Sequence, residues 1–329
     1  MKVLFIGGTG VISTACTKLA ASRGIDLYLL NRGQTEQELP PGVTNLIGDI
    51  NDPNIGEVLS GHHWDAVVNW IIFSPDEVQR DIELFTGRTR QYIFISSASV
   101  YQTPPACLPV KESTMLDNPY WEYSRKKIAC EERLVEAYRS DKFPMTIVRP
   151  SHTYNPSKLP ILGGYTALQR MREGRKILVF SDGTSLWTLT HSKDFAKGFV
   201  PLLGNSRAVG DTFHITSDEW LNWNQIYELL GQALGVTPQL VHVPSALIAA
   251  YDAEIGAGLL GDKSNSMIFD NSKIKRLVPD FSCTIPFSQG AREIVDWYMA
   301  DETRQVVDED LDALMDKIIV AQESLYPGD

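Results

Sequence analysis

The N-terminal stretch restricts the fold more than any other part of the chain. Met1-Lys-Val-Leu-Phe-Ile-Gly-Gly-Thr-Gly-Val-Ile-Ser13 sets a short apolar run, rich in β-formers, directly ahead of a glycine cluster. Lys2 to Ile6 therefore reads as a buried strand. From Val11 onward Ile12, Cys16, Leu19 and Ala20 recur at helical spacing, so a helix leaves the glycine turn and runs to about Ser22, with Gly24 ending it. A strand, a glycine turn and a helix N-terminus together make an anion site, because the first helical N–H groups lack partners and the positive dipole end faces the turn. Gly7 and Gly10 let a pyrophosphate approach the backbone. In the spacing Gly7-x-x-Gly10-x-x-Ser13 the third position, usually glycine, is a small serine. An ordinary tight turn would use the same residues, but the place of this one between strand and helix favours a dinucleotide.

Strands and helices then alternate. Asp26 to Asn31, Val43 to Ile50, Trp64 to Ile72, Gln91 to Tyr101 and Met145 to Pro150 read as strands. Pro75 to Gly87 and about Tyr120 to Arg139 read as helices, and Pro104, Pro105 and Pro109 force a loop between them. This alternation predicts the α/β class, with a doubly wound parallel sheet over residues 1–155. Residues 156–329 read mainly as a smaller lobe, with elements near 190–216 returning to the sheet. Within that part, Gly163 to Arg175, Ser192 to Leu203, Trp223 to Leu234, 286–300 and 301–323 read as helices, and the acidic run Asp308-Glu-Asp310 as a solvated helix face.

The residue ending the second strand meets the adenosine ribose of a bound dinucleotide. Here Asn31-Arg32-Gly33 offers no carboxylate, and Arg32 can face a 2′-phosphate, which leans the cofactor toward NADP. Asp49 and Ile50, at the end of the third strand, are placed to bond the adenine amino group and to pack on its ring. Asn69 to Phe73 would line the crevice at the carboxyl ends of the strands. Net charge is −11, which disfavours a nucleic-acid or anionic-membrane surface. The four cysteines are far apart with no metal-like or disulfide-like spacing, no apolar run spans a membrane, and the expected compartment is the cytoplasm.

Tyr123-Ser-Arg-Lys-Lys127 puts a phenol and an ammonium four positions apart on one helix face. A unit charge at ~4 Å and an effective dielectric of ~20 is worth about 4 kcal/mol, enough to bring a phenol pKa from about 10 toward 7. Such a phenol is a competent general acid or base. Ser97, at the end of the fifth strand, can donate a second hydrogen bond to a substrate oxygen.

With Gly7-Gly-Thr-Gly10, Gly48-Asp-Ile50, Ser96-Ser-Ala-Ser-Val-Tyr101, Tyr123-x-x-x-Lys127, Arg149-Pro150, Asp182-Gly183, Asp194 and Asn271-Ser-Lys-Ile-Lys-Arg276, the chain resembles the extended short-chain dehydrogenases/reductases of the NAD-dependent epimerase/dehydratase family. The resemblance implies a Rossmann-type domain with a C-terminal substrate-binding lobe. It implies Ser97, Tyr123 and Lys127 as catalytic residues. It implies cofactor contacts at Gly7, Thr9, Gly10, Val11, Ile12, Asn31, Arg32, Asp49, Ile50, Asn69, Lys127 and Pro150. The cofactor would be NAD(P), the substrate a small carbohydrate-like alcohol or ketone, and the assembly a homodimer through the tyrosine-bearing helix and the helix before it.

Departures narrow the substrate. Relatives acting on nucleotide sugars grip the diphosphate with two arginines, where this chain has Trp187 and Leu259. Arg149, Lys158 or Arg170 would have to take over. Ala98-Ser99 replaces the acidic pair of sugar 4,6-dehydratases. Ser99, His152 and Trp187 are the candidate substrate contacts, while His191 reads as structural and His62-His63 as exposed. The chain also resembles an atypical branch that includes the chloroplast stem-loop-binding proteins. That likeness leaves a second function open: a non-catalytic nucleotide- or RNA-binding relative, using Arg125-Lys-Lys127 and Arg170 to Lys176 as its surface.

Overall fold

In β1 (Lys2–Ile6) the side chains of Val3 and Phe5 enter one apolar cluster and those of Leu4 and Ile6 another. A strand buried on both faces needs a helical layer on each side, which is why its sequence is continuously apolar. The computed structural model describes residues 1–34 and 38–325.

After β1 come α1 (Ser13–Ser22), β2 (Asp26–Asn31), β3 (Thr44–Ile47), the single turn α2 (Ile55–Val58) and β4 (Ala66–Asn69). There follow α3 (Pro75–Phe85), β5 (Tyr92–Ile95), α4 (Glu122–Asp141), β6 (Met145–Pro150), β7 (His152–Tyr154), α5 (Gly164–Arg172), β8 (Lys176–Phe180), β9 (Leu186–Trp187) and β10 (Leu189–His191). The last part holds α6 (Ser192–Phe199), β11 (Asp211–Ile215), β12 (Leu221–Asn222), α7 (Trp223–Leu234) and β13 (Gln239–Val243). It ends with α8 (Ser245–Tyr251), α9 (Ala253–Gly258), α10 (Ser272–Leu277), α11 (Phe287–Met299) and α12 (Glu309–Glu323).

Seven strands form one parallel sheet in the order β11-β6-β5-β4-β1-β2-β3. This is the α/β, Rossmann-type doubly wound sheet expected from the sequence. The order reverses between β1 and β4, so their carboxyl ends open a crevice there. A third apolar cluster, centred on Phe180, Trp223, Tyr227 and Ile294, fills the lobe built from β8, β13, α5, α7, α11 and α12. β11 forms one edge of that sheet, and α10 packs against it, with Ile274 in the same apolar cluster as Phe213 and Ile215.

Several elements are shorter than their sequence pattern. α1 starts at Ser13 rather than Val11, because the Ser13 hydroxyl accepts from Gly10 N–H at 2.7 Å and donates to the Gly7 carbonyl at 3.0 Å, closing the turn first. β3 stops at Ile47, where the Gly48 N–H bonds the Asn31 carbonyl. β4 stops at Asn69, whose side-chain oxygen takes the Ile71 N–H at 3.0 Å and turns the chain. The helix expected over 301–323 forms only over Glu309–Glu323, with the Asp308 carboxylate capping the Leu311 N–H.

Two buried ionic clusters fasten these layers. Glu131 of α4 receives a two-pronged contact from Arg149 of β6 and a hydrogen bond from Ser96 at 2.5 Å, with the two charged side chains only 3% and 5% exposed. Removing one partner of such a pair strands a buried charge and costs about 3–5 kcal/mol. Glu131→Ala is expected to lose about that much in urea unfolding, whereas Lys126→Ala, which breaks the exposed pair with Glu122, loses under about 1 kcal/mol. Near the C-terminus Arg170, 2% exposed, reaches Asp312 and Asp316 of α12 and ties it to α5.

Candidate active site

The glycine turn is built for close approach. Gly7 has φ +81°, and a Cβ there would lie 2.7 Å from Ile71 Cγ2. A Cβ on Gly8 would lie 2.6 Å from Leu29, and the Thr17 hydroxyl binds the Gly8 carbonyl at 3.0 Å. Ser13 thus does at the third position what a glycine does elsewhere: it fits, and it also ties the loop. A cleft of about 490 Å³ opens over this turn, lined by Gly7, Thr9, Gly10, Asn31, Arg32 and Asp49, with Ile50 beneath.

A second cleft of about 580 Å³ continues from it and shares Gly7, Gly10, Ile71 and Phe73. Its walls include Val11, Ile12, Ser97, Tyr123, Lys127, Pro150, His152 and Trp187. β5 ends in a turn of 3₁₀ helix that presents Ser97, and the first turn of α4 presents Tyr123. Ser97 stands beside the Tyr123 phenol in this wall and shares a 2.9 Å bond with the Ser99 hydroxyl. Ser99 in turn accepts from Ser124 at 2.8 Å and lies buried behind Ser97. Ser96 points the other way, to Glu131.

The electrostatics differ from the sequence expectation. Burial pushes the Tyr123 phenol above its ordinary pKa; the neighbouring Ser97 hydroxyl pulls it back, and the Asp262 carboxylate pushes it further up. Lys127 does not lower it. The Lys127 ammonium is 5.9 Å from the Tyr123 ring centroid and donates to the Ile72 and Ile95 carbonyls at 2.5 and 2.8 Å. It is boxed by Phe73 and Phe94, and burial brings its pKa down to about 8.

Other expected residues land elsewhere. Asn69 is fully buried and gives its amide to Asp81 at 2.7 Å, so it shapes the crevice loop through Ile71 N–H instead of lining it. His191 caps α6 by accepting the Lys193 N–H at 3.1 Å. His62 is not free in solvent: its ring stacks on Trp64 with centroids 5.0 Å apart. Arg149 and Arg170 are consumed by the buried pairs above, so neither can stand in for a diphosphate-binding arginine. Trp187 is 3% exposed and Leu259 is 2% exposed. The two basic runs do not form a free surface: Lys127 is buried, and Arg170, Arg175 and Lys176 pair with Asp312, Asp316 and Glu323.

The sequence reading missed the far wall. Residues Leu259–Lys263 form a turn of π-helix that carries Asp262 and Lys263 into the second cleft, opposite Tyr123. Such turns are often found at functional sites. A Cβ on Gly261 would come within 2.8 Å of Trp121 Cβ, and the Gly261 carbonyl accepts from Asn118 at 2.6 Å. The Lys263 carbonyl accepts from Ser185 and from the Trp223 indole at 3.0 and 3.2 Å. The Gly261-Asp262 pair was the only signal available.

A family model described as the NAD dependent epimerase/dehydratase family matches residues 3–216. Over 287 residues the chain is 25% identical to a 2′-dehydrokanamycin reductase of Streptomyces kanamyceticus, covering 85% of this chain and 80% of that protein. It is 28% identical over 258 residues to the chloroplast stem-loop binding protein of 41 kDa b of Arabidopsis thaliana, covering 73% and 65%. Among solved structures, a UDP-glucuronic acid 4-epimerase from Bacillus cereus, in complex with UDP-glucuronic acid and NAD, matches with a TM-score of 0.74 over 91% of this chain and 99% of that one, at 19% identity. That likeness carries the fold.

Proposed function

The chain belongs to the NAD dependent epimerase/dehydratase family, and from that premise we propose that it interconverts a secondary alcohol and a ketone on a sugar-like substrate, using NAD(P). One observation carries the reading. The Tyr123 phenol, beside Ser97, stands in a cleft that continues into the one over the glycine turn.

The residues present fit a dinucleotide. Gly7, Gly8 and Gly10 leave a cradle that side chains would fill, and the N-terminus of α1 faces it. Thr9, Val11 and Ile12 would flank the pyrophosphate, Asp49 and Ile50 the adenine, and Pro150 the nicotinamide end. When bound, the cofactor supplies or accepts the hydride. Lys127 has three donor hydrogens and spends two on carbonyls, leaving one for a ribose hydroxyl. Tyr123 gives a proton to the carbonyl oxygen, or takes one from the carbinol, and Ser97 donates a hydrogen bond to the same oxygen. Burial keeps the phenol protonated at neutral pH, which suits the reducing direction. The similarity to a 2′-dehydrokanamycin reductase supports that direction and a sugar that is not carried on a nucleotide.

Cofactor choice tests the reading. Arg32 is exposed at the end of β2 in the cleft wall, beside Asn31 and Asn45, and no carboxylate ends that strand. NADPH is expected to bind more tightly than NADH in a fluorescence titration. Arg32→Ala is expected to weaken NADPH by about tenfold, the loss of one charge-assisted phosphate contact, and NADH by under about twofold. A protein that binds neither nucleotide, and releases none when denatured, ends the hydride reading.

A further inference from the structure

The far wall of the second cleft carries charge that hydride transfer does not use. The net charge of the chain is −11, yet among the described residues the charged side chains lining this cleft are Lys127, Lys158, Lys263 and a single carboxylate, Asp262. Lys127 belongs to the cofactor end. Lys263 is held 3.0 Å from Asp262, on a turn fastened to both lobes. Lys158 has no ion pair among the described residues, and its backbone is fixed by a tight turn in which its N–H bonds the Asn155 carbonyl at 3.0 Å. Both lysines line the same cleft as His152, and the His152 imidazole is held well below its ordinary pKa by burial and by these charges. No hydrogen bond engages the His152 ring among the described residues, and the buried Trp187 indole N–H also lacks a partner there. A locally basic pocket in an acidic protein concentrates anions.

We propose that Lys158 and Lys263, which line the cleft together with His152, hold one oxyanion carried by the sugar-like substrate, a phosphate monoester or a carboxylate. This deepens the hydride-transfer reading and rests on it. One unpaired lysine matches one oxyanion, not a diphosphate. Lys263 spends one donor on Asp262 and keeps its other N–H groups for a second acceptor. Trp121 and Phe269 supply apolar walls for the sugar ring.

The test is a binding titration, followed by the fluorescence of Trp121 and Trp187, with and without saturating NADP⁺. The probes are glucose 6-phosphate, glucuronate, glucose, orthophosphate and UDP-glucose. Glucose 6-phosphate or glucuronate is expected to bind at least about tenfold more tightly than glucose, with affinity falling as salt is raised. Whichever of the two binds more tightly identifies the oxyanion. Lys158→Ala, at an exposed position, is expected to erase the preference, and Lys158→Arg to keep it. Three results overturn the proposal: anionic sugars no better than glucose, orthophosphate as tight as glucose 6-phosphate, or UDP-glucose tighter than every other probe. NADP⁺ binding, measured on the same samples, separates this outcome from failure of the hydride reading.

Discussion

Tyr123→Phe is expected to lower turnover by about 10²- to 10⁴-fold, the range that a positioned proton donor contributes. The substitution removes one oxygen. That oxygen stands beside Ser97, while the ring keeps its packing against Trp121, with centroids 4.7 Å apart, and against Phe73. The fold and the cleft over the glycine turn should therefore stay as they are, and nucleotide affinity should change by less than about twofold. Stopped-flow measurement of a single turnover separates the chemical step from binding. A variant that keeps parental turnover would falsify the assignment of Tyr123. Two serine variants sharpen the result. Ser97→Ala removes the hydroxyl beside the phenol and should cost turnover, with only about 1 kcal/mol of stability from the lost cap on the Ser99 N–H, whereas Ser96→Ala removes a bond to buried Glu131 and should cost stability without turnover. The pH dependence has a fixed sign. Reduction uses the protonated phenol, whose pKa lies above its ordinary value, so a rise in pH through that pKa slows reduction and speeds oxidation.

What was legible in the sequence was legible for local reasons. The glycine turn could be read because backbone conformation depends on residue type: Gly7 sits at φ +81°, and Ser13 is small enough for the position it takes. Tyr123 and Lys127 could be placed together because helical spacing fixes a shared face. Their electrostatics could not, since burial of both groups outweighs their mutual charge, and burial depends on Phe73 and Phe94 from other strands and loops. Asn69 shows the same limit. Its position at the end of β4 was clear, but its orientation is set by Asp81, which also accepts from the Tyr92 phenol at 2.6 Å. Arg149 and Arg170 looked available as cations until the fold supplied their carboxylates. Asp262 and Lys263 lie far along the chain from Tyr123, and only tertiary packing of the π-turn against Trp121 brings them to the cleft.

Lys127→Met is expected to lower turnover by about 10²-fold or more and, in the same protein, to change how stability depends on pH. Lys127 is 3% exposed and its pKa falls from 10.5 to about 8. The cause is burial among aromatic rings, which penalises the charged form. The unfolded chain holds its proton up to about 10.5, while the folded chain releases it from about 8. Between those values the unfolded state binds more protons, so stability rises with pH across the window and is lost again as pH falls through 8. The full span corresponds to about 3 kcal/mol. Methionine has a similar length and no charge, so it should remove this dependence. At neutral pH the gain is offset, because the Ile72 and Ile95 carbonyls lose their donor. The difference between parent and variant across the window is therefore the quantity to measure, since every other titrating group cancels. Urea unfolding at several pH values between 8 and 10.5 should show the parent gaining about 3 kcal/mol relative to the variant. Parallel curves would mean that Lys127 is not a desolvated cation. Activity should follow the opposite course. Above pH 8 the neutral amine has one donor fewer and no charge for the cofactor, so nucleotide affinity should fall where stability rises. The charge that this site needs is thus one that burial opposes and that two backbone carbonyls hold in place.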